Sequence, residues 1–122
     1  MTQFTKPIVL IVEDETLIRM IAVETFQDDG FSVLEAHDAA SALEICAAGA
    51  PFQLLFTDIN MPGEMDGVDL AEHLRRSHPS LRIIITSALP ASRPVDGLPA
   101  TFIAKPYRGL DVCVEARRLL AV

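Results

Sequence analysis

The chain has no tryptophan, one tyrosine and only two cysteines among its 122 residues. Cys46 and Cys113 lie far apart, with no second Cys or His at metal-ligand spacing, so the sequence encodes neither a disulfide framework nor a thiolate metal site. Both read as buried free thiols. No apolar run approaches the roughly 18 residues that a membrane span needs. The start, Met1-Thr2-Gln3-Phe4-Thr5-Lys6-Pro7, carries no basic segment followed by a long apolar stretch. A cytoplasmic protein with no membrane insertion is expected. Positive charge is scarce as well: ten Lys and Arg stand against seventeen Asp and Glu, a net charge of −7. That balance argues against direct binding to nucleic acid or to an anionic membrane, and favours basic or cationic partners.

What is present is half hydrophobic and 22% charged, the make-up of one domain able to bury a real core. A single domain over residues 1–122 is expected, with nothing left within it for a DNA-binding or enzymatic output domain; it is either a stand-alone protein or one domain cut from a longer chain. Hydrophobic periodicity alternates along it. Pro7 to Val12 is a continuous, largely β-branched run, as in a strand covered on both faces. Thr16 to Asp28 follows as a helix, with Leu17, Ile18, Ile21, Ala22 and Thr25 on one face and Gly30 as its stop. Phe31 to Ala36 reads as a second strand. Asp38 caps a helix that runs through Ala48. Phe52 to Thr57 is the third strand, and Val68 to Ser77 a helix with Leu70, Ala71 and Leu74 turned inward. Leu81 to Thr86 and Thr101 to Ala104 complete the strands. Asp111 to Leu120 is the last helix, striped by Val112, Cys113, Ala116, Leu119 and Leu120.

Such alternation implies an α/β fold, a parallel sheet between two layers of helices, with ligands beyond the carboxyl ends of the strands. The residues there are Glu13 and Asp14 after the first strand, Asp58 after the third, Thr86 ending the fourth and Lys105 after the fifth. Each has an ordinary explanation alone, as a helix cap or a solvated lysine. Together, at one end of one sheet, they point to a site. Two close carboxylates repel by roughly 4 kcal/mol at an effective dielectric of about 20, more than Lys105 alone relieves in a cluster of three. A hard divalent cation does so, and Mg²⁺ suits carboxylates that leave positions open for water or phosphate oxygens. Metal, ammonium, hydroxyl and a carboxylate nucleophile are the parts for phosphoryl transfer to Asp58.

The segments VLIVEDE (9 to 15), FTDINMP (56 to 62), DG (66 and 67), IIITSA (83 to 88) and IAKPY (103 to 107) closely resemble the receiver domain of bacterial two-component response regulators. The resemblance covers essentially the whole chain. It implies a flavodoxin-like doubly wound sheet of five strands in order 2-1-3-4-5, with helices on both faces. It also implies Mg²⁺-dependent transfer of phosphate to Asp58 from a histidine kinase or histidine phosphotransfer protein. By that likeness Asp14, Asp58 and the main-chain carbonyl of Asn60 hold the metal, and Glu13 contacts it through water. Thr86 and Lys105 meet phosphoryl oxygens. Phe102 stands where the family keeps a switch aromatic that follows Thr86; read from the residue alone, it is equally a static core ring. A protein of this kind is no conventional enzyme, since it catalyses only its own phosphorylation and dephosphorylation, and its signal passes to a protein target.

Two departures mark the chain. Met61-Pro62-Gly63-Glu64-Met65-Asp66-Gly67 is one residue longer than the commoner form of that loop, with Met61 and Met65 expected to pack rather than react. Pro94 and Pro99 leave room for barely one turn where the family has its fourth helix, so an irregular segment from Ala88 to Ala100 is expected. The Lys105-Pro106 bond is a candidate for the cis form. His37, His73 and His78 are expected at the surface, without a chemical role. Two other functions stay open: a receiver-shaped interaction module that never carries phosphate, and an aspartyl-nucleophile phosphatase of the haloacid dehalogenase type. The latter expects an aspartate two positions after its nucleophile, where this chain has Asn60.

Overall fold

The computed structural model describes residues 6–88 and 97–122. Its elements run β1 (Ile8–Val12), α1 (Thr16–Asp28), β2 (Ser32–Ala36), α2 (Ala39–Ala47) and β3 (Leu54–Asp58). They continue with α3 (Gly67–Ser77), β4 (Arg82–Ser87), β5 (Thr101–Ala104) and α4 (Gly109–Leu120). The five strands form one parallel sheet in the order β2-β1-β3-β4-β5. The chain therefore winds both ways from β1, and the loops leaving β1 and β3 lead to helices on opposite faces of the sheet.

Alternate residues of the central strands enter two separate cores. Leu10, Val12, Leu55, Ile83 and Ile85 face the layer of α2 and α3, where Ala42, Leu70, Ala71 and Leu74 are buried. Val9, Ile11, Leu54, Phe56 and Ile84 face the layer of α1 and α4, with Ala22, Phe26, Val112 and Ala116. Burial on both faces is why the strands read as unbroken apolar runs. At roughly 1.5–3 kcal/mol for each fully buried large aliphatic side chain, these two cores hold the strand ends in register against the repulsion of the charges mounted on them. β5 is an edge strand and alternates between half-buried and exposed residues.

Local signals set the helix limits. Asp38 accepts from the Ser41 amide at 2.7 Å, and Asp66 from the Asp69 amide at 2.8 Å, each in a reciprocal capping box. Gly30, at φ +92°, ends α1 in a left-handed turn, and the Phe31 amide reaches back to the Phe26 carbonyl. α3 starts at Gly67 and α4 at Gly109, slightly earlier than the apolar pattern indicates. The Lys105-Pro106 peptide bond is cis.

Several expectations need correction. α1 is rotated: Ala22 and Phe26 are buried, while Leu17 and Ile21 are 69% and 57% exposed. α4 packs against the flank of α1 at Thr25, and the small Ala22 lets the two helices and the sheet approach. Cys113 is buried but Cys46 is only partly so, because α2 turns Ala39 and Ala42 to the sheet. His37 and His73 are exposed, whereas His78 is half-buried with its ring 5.3 Å from that of Phe52. Met61 and Met65 pack on the first core, as expected. Of the segment 88–100, residues 89–96 lie outside the described residues. Residues 97–100 form a turn and irregular chain, and among the described residues no helix stands between β4 and β5.

Candidate functional site

The carboxyl ends of β1, β3, β4 and β5 converge on one acidic pocket. β1 delivers Glu13 and Asp14, and β3 ends on Asp58, whose register partner on β4 is Thr86. Oxygen atoms of Glu13, Asp14 and Asp58 all lie within 4.8 Å of one another. Convergence of the three acids, on which the sequence reading depended, is therefore present.

Lys105 faces them from the end of β5. Its Nζ lies 3.1 Å from Glu13 Oε1 and 3.2 Å from Asp58 Oδ2, with a side chain 18% exposed. Its amide donates to the Ser87 carbonyl at 2.8 Å, fixing the loop that carries it. Burial works to lower the Lys105 pKa, but the bonds and charges of Glu13 and Asp58 outweigh it and leave the ammonium above its ordinary range. Glu13 is shifted upward, chiefly because burial disfavours its charge; the Glu15 amide and Lys105 oppose that shift. One ammonium thus spans two of three carboxylates. The carboxylate of Asp14, exposed at the mouth, makes no hydrogen bond or ion pair among the described residues.

Every polar group of Glu13 is engaged. Its amide donates to the Ala36 carbonyl at 3.1 Å, and its carbonyl accepts from Arg19 Nη1 at 2.8 Å. Its Oε2 accepts from the Glu15 amide at 3.1 Å, and Oε1 takes Lys105. The backbone at Asp58 is also fixed: its carbonyl accepts from the Thr57 hydroxyl at 3.0 Å. Ile59 donates to the Thr86 carbonyl at 3.0 Å, and Gly67 donates to the Ile59 carbonyl at 2.8 Å. Asn60 is exposed two residues beyond Asp58. Thr86 is 2% exposed, and its hydroxyl makes no hydrogen bond among the described residues. Phe102 is 41% exposed on β5, opposite Ile85, so it is not a buried core ring.

The donor set is all hard oxygen, with three carboxylates and a single ammonium, and it fits Mg²⁺ better than a softer ion. The sequence and the fold find counterparts among known proteins. The model of the response regulator receiver domain matches residues 9–108. This chain belongs to the response regulator receiver family. It is 34% identical to the response regulator receiver protein CpdR of Brucella abortus (strain 2308), over 92% of this chain and 95% of CpdR. It is also 34% identical to the sensor kinase CckA of the same strain, over 92% of this chain but 12% of that protein. The receiver family thus occurs both as a protein of this length and as a small part of a much larger one. A response regulator receiver protein from Sinorhizobium medicae WSM419 superposes with a TM-score of 0.88 at 25% identity, covering 96% of both chains.

Two residues of the receiver site escaped the sequence reading. Gly67 was noticed only as part of a motif. A Cβ there would lie 1.9 Å from the Asp58 carbonyl oxygen and 2.8 Å from its carbonyl carbon, so only glycine lets α3 start against the backbone of Asp58. The available signal was a glycine in the first turn of a helix, a place that helix propensity does not favour. Arg19 was assigned nothing, although a long cation one turn after an acidic loop can reach back to it. Among the described residues no helix is long and apolar enough to cross a membrane.

Proposed function

We propose that this receiver accepts a phosphoryl group on Asp58 from a phosphohistidine of a histidine kinase or histidine phosphotransfer protein, with Mg²⁺ bound. The observation that carries it is the three-carboxylate cluster with Lys105 across it. Glu13, Asp14, Asp58 and the main-chain carbonyl of Asn60 would hold the ion. When bound, Mg²⁺ supplies positive charge to phosphoryl oxygens and relieves the mutual repulsion of the acids. An Asp58 carboxylate oxygen attacks phosphorus as the bond to the donor imidazole nitrogen breaks, and that nitrogen keeps the bonding pair. Lys105 and the Thr86 hydroxyl each take one phosphoryl oxygen, so charge in the transition state is met by groups already in place. No strong base is required, because the nucleophile is already an anion.

The fully acidic cluster, the lysine and the threonine are all present, which favours this reading over an interaction module without phosphate. Asn60, where the phosphatase needs an aspartate, disfavours that enzyme. Signalling follows as a population shift: Thr86 turns toward the phosphoryl group and the exposed Phe102 moves into the space behind it, changing the surface around β4 and β5 for a protein partner. The phosphodonor covers the mouth of the pocket. Leu17 and Ile21 on α1 and Leu110 on α4 are exposed in turns that follow the acid pair and Lys105, and they offer it an apolar footing.

Acetyl phosphate with Mg²⁺, followed by intact mass, tests the chemistry. One added phosphoryl group is expected, absent without the metal and absent in Asp58→Asn. Undiminished labelling of that variant would place the acceptor elsewhere and end this reading.

A further inference from the structure

β1 stops at Val12, where its register with β2 also stops at Ala36. One more strand-like bond follows, from the Glu13 amide to the Ala36 carbonyl at 3.1 Å. The next group in line, the Glu13 carbonyl, has no strand to receive it. Arg19, in α1, reaches back and donates Nη1 to that oxygen at 2.8 Å, while its Nε donates to Glu35 Oε1 on β2 at 3.3 Å. The Arg19 side chain is 17% exposed and that of Glu35 52%, so the half of the bridge at the Glu13 carbonyl is shielded from water and the half at Glu35 is open to it.

We infer that Arg19, braced by Glu35, is a positioning residue for the metal-binding acids. The reason is covalent. The carbonyl of Glu13 belongs to the planar peptide that joins it to Asp14, so fixing that oxygen fixes the plane from which the Asp14 carboxylate projects. Asp14 has no other restraint on its side chain among the described residues, and it sits at the open side of the cluster. A guanidinium suits the task because its rigid fork meets two acceptors in different directions, which the point charge of a lysine cannot do equally well. Glu35 neutralises the cation, so the bridge orients the loop without adding net positive charge next to the metal site.

This inference rests on the reading of the cluster as a Mg²⁺ site, and calorimetric Mg²⁺ titration separates the two. Charge and positioning predict opposite signs. If Arg19 acted only as a nearby cation, Arg19→Ala would tighten Mg²⁺ binding by removing repulsion, and Arg19→Lys would match the wild type. If it positions Asp14, Arg19→Ala weakens binding roughly tenfold, the lower end for a partner one bond removed from a metal ligand. Arg19→Lys is then also weaker than wild type, with apo melting temperatures little changed. Glu35→Asp, which keeps the charge but shortens the brace, shifts the dissociation constant in the same direction by less, whereas a pure charge effect leaves it unchanged, and it carries the test should Arg19→Ala fail to fold. Arg19 and Glu35 variants that bind Mg²⁺ as tightly as the wild type, or tighter, overturn the inference alone. A wild-type protein that takes up no Mg²⁺ overturns the metal site and this inference with it.

Discussion

Replacing Gly67 with alanine places a methyl carbon 1.9 Å from the Asp58 carbonyl oxygen and 3.1 Å from the Ile59 Cα. An ordinary contact is at least 3.4 Å, so backbone must give by about 1.5 Å. The obstacle is the main chain of a central strand, not a side chain that can rotate, which puts the cost near the top of the overpacking range, about 3 kcal/mol. At roughly 4 °C per kcal/mol for a chain of this size, the melting point falls by about 12 °C. Helix propensity alone predicts the reverse, a gain of about 1 kcal/mol for alanine, so the sign of the change decides between them. The strain falls on Asp58, the phosphoryl acceptor proposed above. A misplacement near 1 Å is enough to cost on the order of a hundredfold in rate, and labelling by acetyl phosphate should slow accordingly. Gly109→Ala is the control: its Cβ meets the Thr25 Cγ2 at 2.6 Å, a movable side chain remote from the acids, and labelling should survive. A Gly67→Ala protein that melts with the wild type and labels at its rate would refute the close approach and the role drawn from it.

Three further outcomes are expected. Saturating Mg²⁺ should raise the melting temperature, by about 3 kcal/mol of stability at a hundredfold excess over the dissociation constant. Asp14→Asn should lose that rise, yet be at least as stable as the wild type without the metal because one repelling charge is gone; differential scanning calorimetry reads both. The Cys113 thiol, 2% exposed, is pushed up to about 11, first by burial and then by Asp29. An unfolded chain releases that proton near 9.0, so the contribution is complete below pH 9 and disappears as pH rises toward 11, about 2–3 kcal/mol in all. Denaturant titrations should therefore show a shallower loss of stability between pH 9 and 10 in Cys113→Ala than in the wild type. Leu17→Ser with Ile21→Ser should leave acetyl phosphate labelling and stability nearly unchanged, since both side chains are exposed, and should slow transfer from a phosphorylated donor protein; equal transfer rates would remove α1 from the donor's footing.

Much of the fold was legible because each central strand is buried on both faces and each chemical residue follows its strand directly. The run Ile8 to Val12 and the acids Glu13 and Asp14 behind it show both signals in seven residues. The rotation of α1 was not legible. Leu17, Ile18, Ile21, Ala22 and Thr25 form a credible inward stripe, but which side of it meets the sheet depends on where α4 lands, a contact between residues about ninety positions apart. His78 failed for a similar reason: it is polar and follows a helix, but Phe52 from another layer covers its ring. At the site, residue types and spacing named the acids, the threonine and the lysine. They could not show that Lys105 bridges Glu13 and Asp58, that Arg19 holds the Glu13 carbonyl, or that Gly67 makes room for Asp58, since all three are distances between segments.

Lys105 and Glu13 are 92 positions apart in sequence, and β3 and β4 lie between their strands. No excerpt shorter than that span therefore holds both members of the pair. The cluster forms only when the first strand and the last have both joined the sheet, so a polypeptide cut anywhere between them lacks part of it.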